Sequence, residues 1–159
     1  MLKVQYAARY CYNLAEKQNY FSWLFCLISA FSIFLPDDHP GYLSLVVPFS
    51  ADIIAWTLMI LVNKNVQKAA DLRKYFDAYL IEINANTYTE AEERRIAEIV
   101  GKTYSRNPEI AELQMGNTGN DNPPGVHDWY MFSKQYDGLE AKFECQRQNT
   151  WWDKELFPI

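Results

Sequence analysis

The most restrictive feature of this 159-residue chain is a run of 44 residues, 20–63, that contains no lysine or arginine. The run carries only three charged residues, Asp37, Asp38 and Asp52, and cations flank it on both sides. Flanking cations around a long apolar stretch are typical of segments that insert into a lipid bilayer. The sequence therefore predicts a membrane-inserted region within an otherwise charged chain.

The overall charge excludes one large class of function. Fifteen Lys and Arg residues against 20 Asp and Glu residues give a net charge of −5. Such a balance argues against a protein that binds DNA through bulk positive charge. With 49% hydrophobic residues, the chain is also too apolar for a disordered protein. We therefore expect a folded protein with no DNA partner.

Two apolar segments inside this run have lengths that suit membrane helices. Residues 20–35 correspond to roughly 24 Å of helix and residues 43–62 to roughly 30 Å, against a hydrocarbon core of about 30 Å. Residues 36–42 (PDDHPGY) hold two prolines and a glycine that end one helix and turn the chain. We predict a two-helix transmembrane hairpin with spans 20–35 and 43–62. The alternative, a buried helix pair in a soluble bundle, normally keeps a polar stripe that neither segment has.

The positions of the cations predict the orientation of the hairpin. Three cations precede the first span, four lie in residues 64–83, and none lies in the connecting turn. Because cytoplasmic flanks carry the excess of Lys and Arg, both termini are expected in the cytoplasm. The predicted organisation is a cytoplasmic N-terminal helix (1–19), a transmembrane hairpin (20–63) and a cytoplasmic helical region (64–159), an all-α fold.

Asp52 lies about ten residues into the second span, near the predicted middle of the bilayer. A charged carboxylate at that depth costs about 2.5–3.5 kcal/mol on insertion scales, so such residues normally face a helix bundle or water. Two interpretations stay open. In one, Asp52 lines a helix interface or a pore, together with Pro48 and the hydroxyls of Ser50 and Thr57. In the other, Asp52 is protonated and merely hydrogen-bonded.

The second span is expected to continue into the cytoplasm as a helical stalk. Apolar residues recur at steps of three and four, which predicts an amphipathic helix: Ala69, Leu72, Phe76, Tyr79 or Leu80, and Ile83. Its apolar seam suits another helix of the same chain or of a neighbouring subunit.

Further helices follow the stalk. Thr89 and Glu92 have the spacing of a capping box and predict a helix to about Tyr104. Residues 107–108 (Asn-Pro) predict the start of a shorter helix. The composition of residues 116–125 (GNTGNDNPPG) predicts a loop, and helix is expected again from about residue 126.

Side chains suited to catalysis or metal binding are sparse. The three cysteines, Cys11, Cys26 and Cys145, have neither a disulfide framework nor the spacing of a zinc site. The two histidines, His39 and His127, are predicted on opposite sides of the membrane. Cys145 and His127 are chemically a nucleophile and a base, but a buried structural thiol is the favoured interpretation. We expect no enzyme activity, no metal and no cofactor.

Three motifs in the cytoplasmic half resemble those of a known family. They are HDWY at residues 127–130, CQRQN at 145–149 followed by WD at 152–153, and AADLRKYFD at 69–77. In this order behind a membrane hairpin they resemble the SMODS-associating four-transmembrane effectors, and the resemblance covers about residues 10–156. The family has four spans whereas this sequence predicts two. The expectations are a truncated chain or a short form that builds its helix bundle from several copies.

The resemblance implies a membrane effector of cyclic-oligonucleotide anti-phage signalling in bacteria. A partner synthase makes a cyclic nucleotide on infection. The effector binds it on the cytoplasmic side and then disrupts the inner membrane, which kills the infected cell. The implied partners are the lipid bilayer, a cyclic oligonucleotide, further copies of the same chain and, functionally, the cyclic-nucleotide synthase.

The C-terminal motifs also suit a nucleotide sensor by their chemistry. The planar fork of Arg147 matches a phosphate, aromatic rings stack on bases, and side-chain amides match base edges. The candidate sensing residues are Trp129, Tyr130, Arg147, Gln148, Asn149 and Trp152. In the alternative interpretation Arg147 pairs with Asp128 or Asp153 and the tryptophans are core or interface anchors.

Two other functions fit the sequence. The first is a non-catalytic membrane anchor or scaffold that recruits a partner through its cytoplasmic helices. The second is a soluble helical domain with an unusually apolar hairpin.

Overall fold

The computed structural model describes residues 1–34, 43–80, 88–128, 140 and 143–148. Its helices are α1 (Leu2–Phe31, followed by a 3-10 turn, Ser32–Phe34), α2 (Leu43–Leu80), α3 (Glu90–Arg106) and α4 (Pro108–Gly116). Residues 143–148 are also helical and are called the 143–148 segment below. Within these described ranges no β-strand occurs, and an isolated bridge joins Thr118 to His127. The predicted all-α fold is confirmed.

Helices α1 and α2 form a long antiparallel pair. Their 30 and 38 residues correspond to about 45 Å and 57 Å, both longer than a hydrocarbon core of about 30 Å. Ser22 Oγ donates a hydrogen bond to the carbonyl of Ala55 at 3.1 Å, and Asn65 Nδ2 donates to Gln18 Oε1 at 2.8 Å. The run without lysine or arginine begins at residue 20 and ends at residue 63. Both positions lie inside a helix, α1 and α2 respectively, and neither helix is interrupted there. The predicted helical continuation beyond residue 63 is confirmed, because α2 runs unbroken from Leu43 to Leu80.

The continuity of the two helices follows from their sequences. Neither residues 2–31 nor residues 49–80 contain a proline or glycine, so nothing breaks the backbone hydrogen-bond ladder there. Pro48 lies near the start of α2, and the helix runs through it. One pair of rods therefore extends from the apolar part of the chain into the charged part.

The main core lies where the N-terminal half of α1 packs against the C-terminal half of α2. Its buried residues are Val4, Ala7, Ala8, Cys11, Ala69, Leu72, Phe76, Ile96 and Cys145. The predicted stalk seam is buried at Ala69, Leu72 and Phe76, and the helix that covers it is α1 of the same chain. Full burial of a side chain such as Leu72 stabilises the fold by about 1.5–3 kcal/mol.

Both shorter helices begin where the sequence predicts. Thr89 Oγ1 accepts a hydrogen bond from the Glu92 N–H at 3.3 Å, and Glu92 Oε2 accepts one from the Thr89 N–H at 2.8 Å. The bond from the Thr89 N–H, together with one from the Thr89 hydroxyl to the same carboxylate oxygen, lowers the pKa of Glu92. Asn107 Oδ1 accepts from the Ile110 N–H at 3.2 Å, ahead of Pro108. The capping box and the Asn-Pro start are confirmed.

The loop after α4 folds back on that helix and closes a second core. Three backbone N–H groups of residues 125–127 donate hydrogen bonds: Gly125 to Thr118 O at 2.7 Å, Val126 to Gln114 O at 2.8 Å and His127 to Asn117 O at 2.8 Å. Val126 is buried with Tyr6, Ala111 and Met115. The prediction of helix from residue 126 is wrong for residues 126–128, because the N–H groups of Val126 and His127 bond to α4 and its loop instead. Helix is present later, at residues 143–148.

Candidate functional site

A belt of exposed apolar side chains surrounds the hairpin end of α1 and α2. We call this set the apolar belt: Tyr20, Phe21, Trp23, Leu24, Leu27, Ile28, Phe31, Phe34, Leu45, Val46, Phe49, Ile53, Ile54, Trp56, Met59, Ile60 and Leu61. Soluble monomers rarely expose a contiguous apolar surface of this kind, and large patches mark partner or membrane contacts. A lipid environment would cover the apolar belt without further protein.

Helix α2 also passes a length and composition test for crossing a membrane. Its stretch Leu45–Tyr79 qualifies, and only 11% of the most apolar part is buried. A core helix of a soluble protein would be mostly buried. Among the described residues α2 is the helix that meets this test, whereas residues 20–34 of the first predicted span do not.

Small and polar residues hold α1 and α2 together at the level of the belt. Ala51 and Ala55 are buried against α1, and Ser22 is buried where it bonds to the Ala55 carbonyl. Small residues let two helices approach closely in lipid, and hydrogen bonds of this type add to their association. The Gln18–Asn65 pair lies at the charged end of the same interface.

Asp52 lies on the exposed surface of α2 and not in the interface with α1. The hydroxyls of Ser50 and Thr57 donate to the carbonyls of Val47 and Ile53 in their own helix, at 3.0 Å and 2.8 Å. At about 100° per residue, both hydroxyls lie roughly 140–160° around the helix from Asp52. The structure therefore does not bring the three predicted intramembrane polar residues together within one chain.

The candidate sensing residues are partly described. Trp129, Tyr130, Asn149 and Trp152 lie outside the described residues. Arg147 and Gln148 lie on the 143–148 segment, which Cys145 anchors in the main core.

Arg147 is held by a neighbour on its own helical turn. Its Nη2 lies 2.6 Å from Glu144 Oε2 while its side chain stays 77% exposed. Asp128, one of the partners considered from the sequence, has its carboxylate 3.7 Å from His127 Nε2. The guanidinium is thus presented to solvent beside the Glu144 carboxylate, on a segment that Cys145 anchors in the main core.

The environment of Cys145 is that of a structural thiol. Burial and the nearby Asp77 carboxylate raise its pKa. Because the thiolate is the nucleophilic form, a raised pKa leaves Cys145 inert at neutral pH. In the part of the chain that the structure describes, no group of three or more His, Cys, Asp or Glu side chains is arranged to hold a metal ion.

A small cleft between α2 and α3 was not anticipated from the sequence. It has a volume of about 120 Å³ and is lined by Asp71, Lys74, Tyr88, Glu92, Arg95 and Ile96. Arg95 Nη2 lies 2.5 Å from Asp71 Oδ2 across it. The residues that line the cleft are distant in sequence. Their approach depends on how α3 packs against α2, and no local sequence motif predicts that packing.

Comparison with protein families matches nearly the whole chain. Residues 1–156 match the SMODS-associating 4TM effector domain. The chain belongs to this family. Neither curated proteins nor solved structures gave a match. The resemblance predicted from the three motifs is confirmed.

Membership in the family identifies the general class of the protein. The family is an effector domain associated with the SMODS cyclic-oligonucleotide synthases of anti-phage signalling, and it is not a known catalytic family. Its name and the exposed apolar helix α2 together indicate a membrane protein.

Proposed function

We propose that this chain is a membrane effector that binds a cyclic oligonucleotide on the cytoplasmic side and then disrupts the bacterial inner membrane, acting as an oligomer. The observation that carries the proposal is the continuity of α2. One uninterrupted helix begins in the apolar belt and ends in the core that anchors the 143–148 segment. A structural change at the sensing end would therefore act directly on the membrane end.

In this proposal residues 20–35 and 43–62 span the membrane as a hairpin with both termini in the cytoplasm. The apolar belt supports insertion of both helices, because its side chains lie on the parts of α1 and α2 that these ranges include. The first span is short for a bilayer, and pairing with α2 through Ser22 and the two buried alanines compensates for that. The cations at both flanks support the orientation.

The sensing surface in this proposal consists of Arg147 and Gln148 with the motif residues Trp129, Tyr130, Asn149 and Trp152. The Arg147 side chain is 77% exposed, so its pairing with Glu144 is weak and a phosphate can replace the carboxylate at little cost. An arginine fork binds a phosphate through two parallel hydrogen bonds, which a lysine cannot reproduce.

A leakage assay tests membrane disruption. The full chain is reconstituted in liposomes filled with a self-quenched dye, and a panel of cyclic dinucleotides and cyclic trinucleotides is added to the face that carries the termini. We expect leakage with at least one of them and none with the matching linear nucleotides. A membrane scaffold would leave the vesicles intact under every condition, and that result would contradict the proposal.

Calorimetry with the full chain in detergent tests the sensing residues. Charge-assisted hydrogen bonds contribute about 1.5–3 kcal/mol, so Arg147→Ala should weaken nucleotide binding by about tenfold to 150-fold. Arg94→Ala is the matched control, because Arg94 is an equally exposed arginine paired with Glu90 on its own helix at 3.0 Å. Equal effects of the two substitutions would remove Arg147 from the site.

A further inference from the structure

A second seven-residue repeat runs along α2, separate from the seam that α1 covers. Leu45, Asp52, Met59 and Val66 are spaced by seven, and Phe49 and Trp56 lie four residues after Leu45 and Asp52. We call these six residues the Asp52 seam. Alternating steps of four and three describe the a and d positions of a helix that packs along another helix.

The Asp52 seam is exposed along its whole length. Phe49 and Trp56, on either side of Asp52, are 67% and 70% exposed. Ala51 and Ala55, which α1 covers, lie roughly 110° and 70° around the helix from the middle of the seam. Asn63, also exposed, continues the same spacing toward the cytoplasmic end.

The neighbouring face of α2 differs from the seam in composition. Val46, Ile53 and Ile60, also exposed and spaced by seven, carry no polar group and suit lipid directly. The seam carries the carboxyl of Asp52 at mid-span. A group of this kind normally faces protein or water and not lipid. Since residues 20–63 contain no lysine or arginine, no cation at that depth within the chain can pair with it.

We propose that the Asp52 seam is covered by the same seam of a second copy, in a parallel pair of α2 helices within the membrane. Two copies inserted with the same orientation place identical residues at the same depth, so that Asp52 meets Asp52. The two facing side chains then hydrogen-bond to each other across the helix pair and do not meet lipid. Asn63 meets Asn63 about three turns further on and helps to fix the register, as single polar residues at a positions do.

This inference rests on the membrane insertion of α2 in the proposed function, and cross-linking in isolated membranes tests it. Single cysteines replace Leu45, Met59 or Val66 in the seam, in the full chain with Cys26→Ser. An added oxidant should give disulfide-linked dimers at all three positions, because facing seam residues of two paired helices approach within bonding distance.

Matched cysteines on the neighbouring face serve as controls. Val46→Cys, Ile53→Cys and Ile60→Cys lie at similar depths and should give little dimer. Equal cross-linking on both faces, or none on the seam, would overturn the inference. Recovery of the protein outside the membrane fraction would instead contradict the proposed function, so the two failures are distinguishable.

Substitutions of Asp52 test the carboxyl pair itself. Asp52→Leu removes the hydrogen bond between the two helices, so it should raise the dimer dissociation constant by about threefold to 30-fold. Energy transfer between labelled copies in bilayers measures this constant. Asp52→Asn keeps a hydrogen-bonding group of the same shape and should stay close to the unmodified chain. An Asp52→Leu variant that associates as tightly as Asp52→Asn would refute the pairing, even if the seam cysteines cross-link.

Discussion

Replacing Gly125 with alanine is expected to loosen the attachment of the N-terminal half of α1. A Cβ atom at position 125 would lie 1.9 Å from the carbonyl oxygen of Asn117 and 2.4 Å from that of Gln114. Both neighbours are backbone atoms, so no side-chain rotation relieves the clash. The Gly125 carbonyl also accepts a hydrogen bond from the Arg9 side chain of α1, 116 residues away in sequence.

The size of the effect follows from the hydrogen bonds that the displacement strains. Ordinary van der Waals contact begins near 3.4 Å, so the loop must move by about 1.5 Å. The three backbone bonds of residues 125–127 cannot all keep their length after such a shift. At about 0.5–1.5 kcal/mol each, their loss corresponds to about 1.5–4.5 kcal/mol. For a chain of this size that lowers the melting temperature by roughly 3–18 °C.

Thermal unfolding followed by the helical circular dichroism signal of the full chain in detergent measures the shift. Gly119→Ala is the matched control, because a Cβ atom there meets nothing within 4 Å. Gly119→Ala should melt at or slightly above the temperature of the unmodified chain. A Gly125→Ala variant that melts with the control would refute the backbone clash and the role assigned to this loop.

Two further predictions concern contacts away from this loop. Asn65→Leu leaves the Gln18 carbonyl oxygen without its donor and should destabilise the α1–α2 pair by about 1–3 kcal/mol. The double variant with Gln18→Leu should recover most of this loss in stability, because no polar group is then left unpaired. Additive losses of stability from the two substitutions would contradict the hydrogen bond. The lowered pKa of Glu92 means that its capping contribution is present above the unfolded pKa and lost as the pH falls through the folded pKa. Melting temperature between pH 7 and pH 3 should therefore fall less for Glu92→Gln than for the unmodified chain, and equal slopes would contradict this.

Features set by neighbouring residues were predictable from the sequence. The capping box of Thr89 and Glu92 depends on a spacing of three residues, and the Asn107-Pro108 start depends on two adjacent residues. The stalk seam was predictable too, because the buried residues Ala69, Leu72 and Phe76 are spaced by three and four, as on one face of a helix. The sequence left two possible partners for that seam, a helix of the same chain or a helix of a neighbouring subunit. A helical spacing of apolar residues shows that a face is covered but does not identify the helix that covers it.

Features set by distant contacts were not predictable. The N–H groups of residues 126–128 looked free to start a helix, but α4 and its loop bind two of them. Ser50 and Thr57 were grouped with Asp52 because they are close to it in sequence. Helical geometry places their hydroxyls on another side of α2 from Asp52. The seven-residue spacing of the Asp52 seam is present in the sequence. It identifies an uncovered face of α2 only once the structure shows which face α1 covers.

The two seams of α2 together limit how a signal can reach the membrane. A ligand shifts a conformational equilibrium only through its different affinity for the two states. Cys145 shares one buried cluster with Leu72 and Phe76, so a ligand that repositions the 143–148 segment must also alter the packing on the last turns of α2. Because α2 is continuous to Leu43, that change would alter the tilt or rotation of the part of α2 that is proposed to lie in the membrane. The Asp52 seam lies about 100° from the face held by α1, so a rotation of α2 would change both its packing on α1 and the proposed contact between copies.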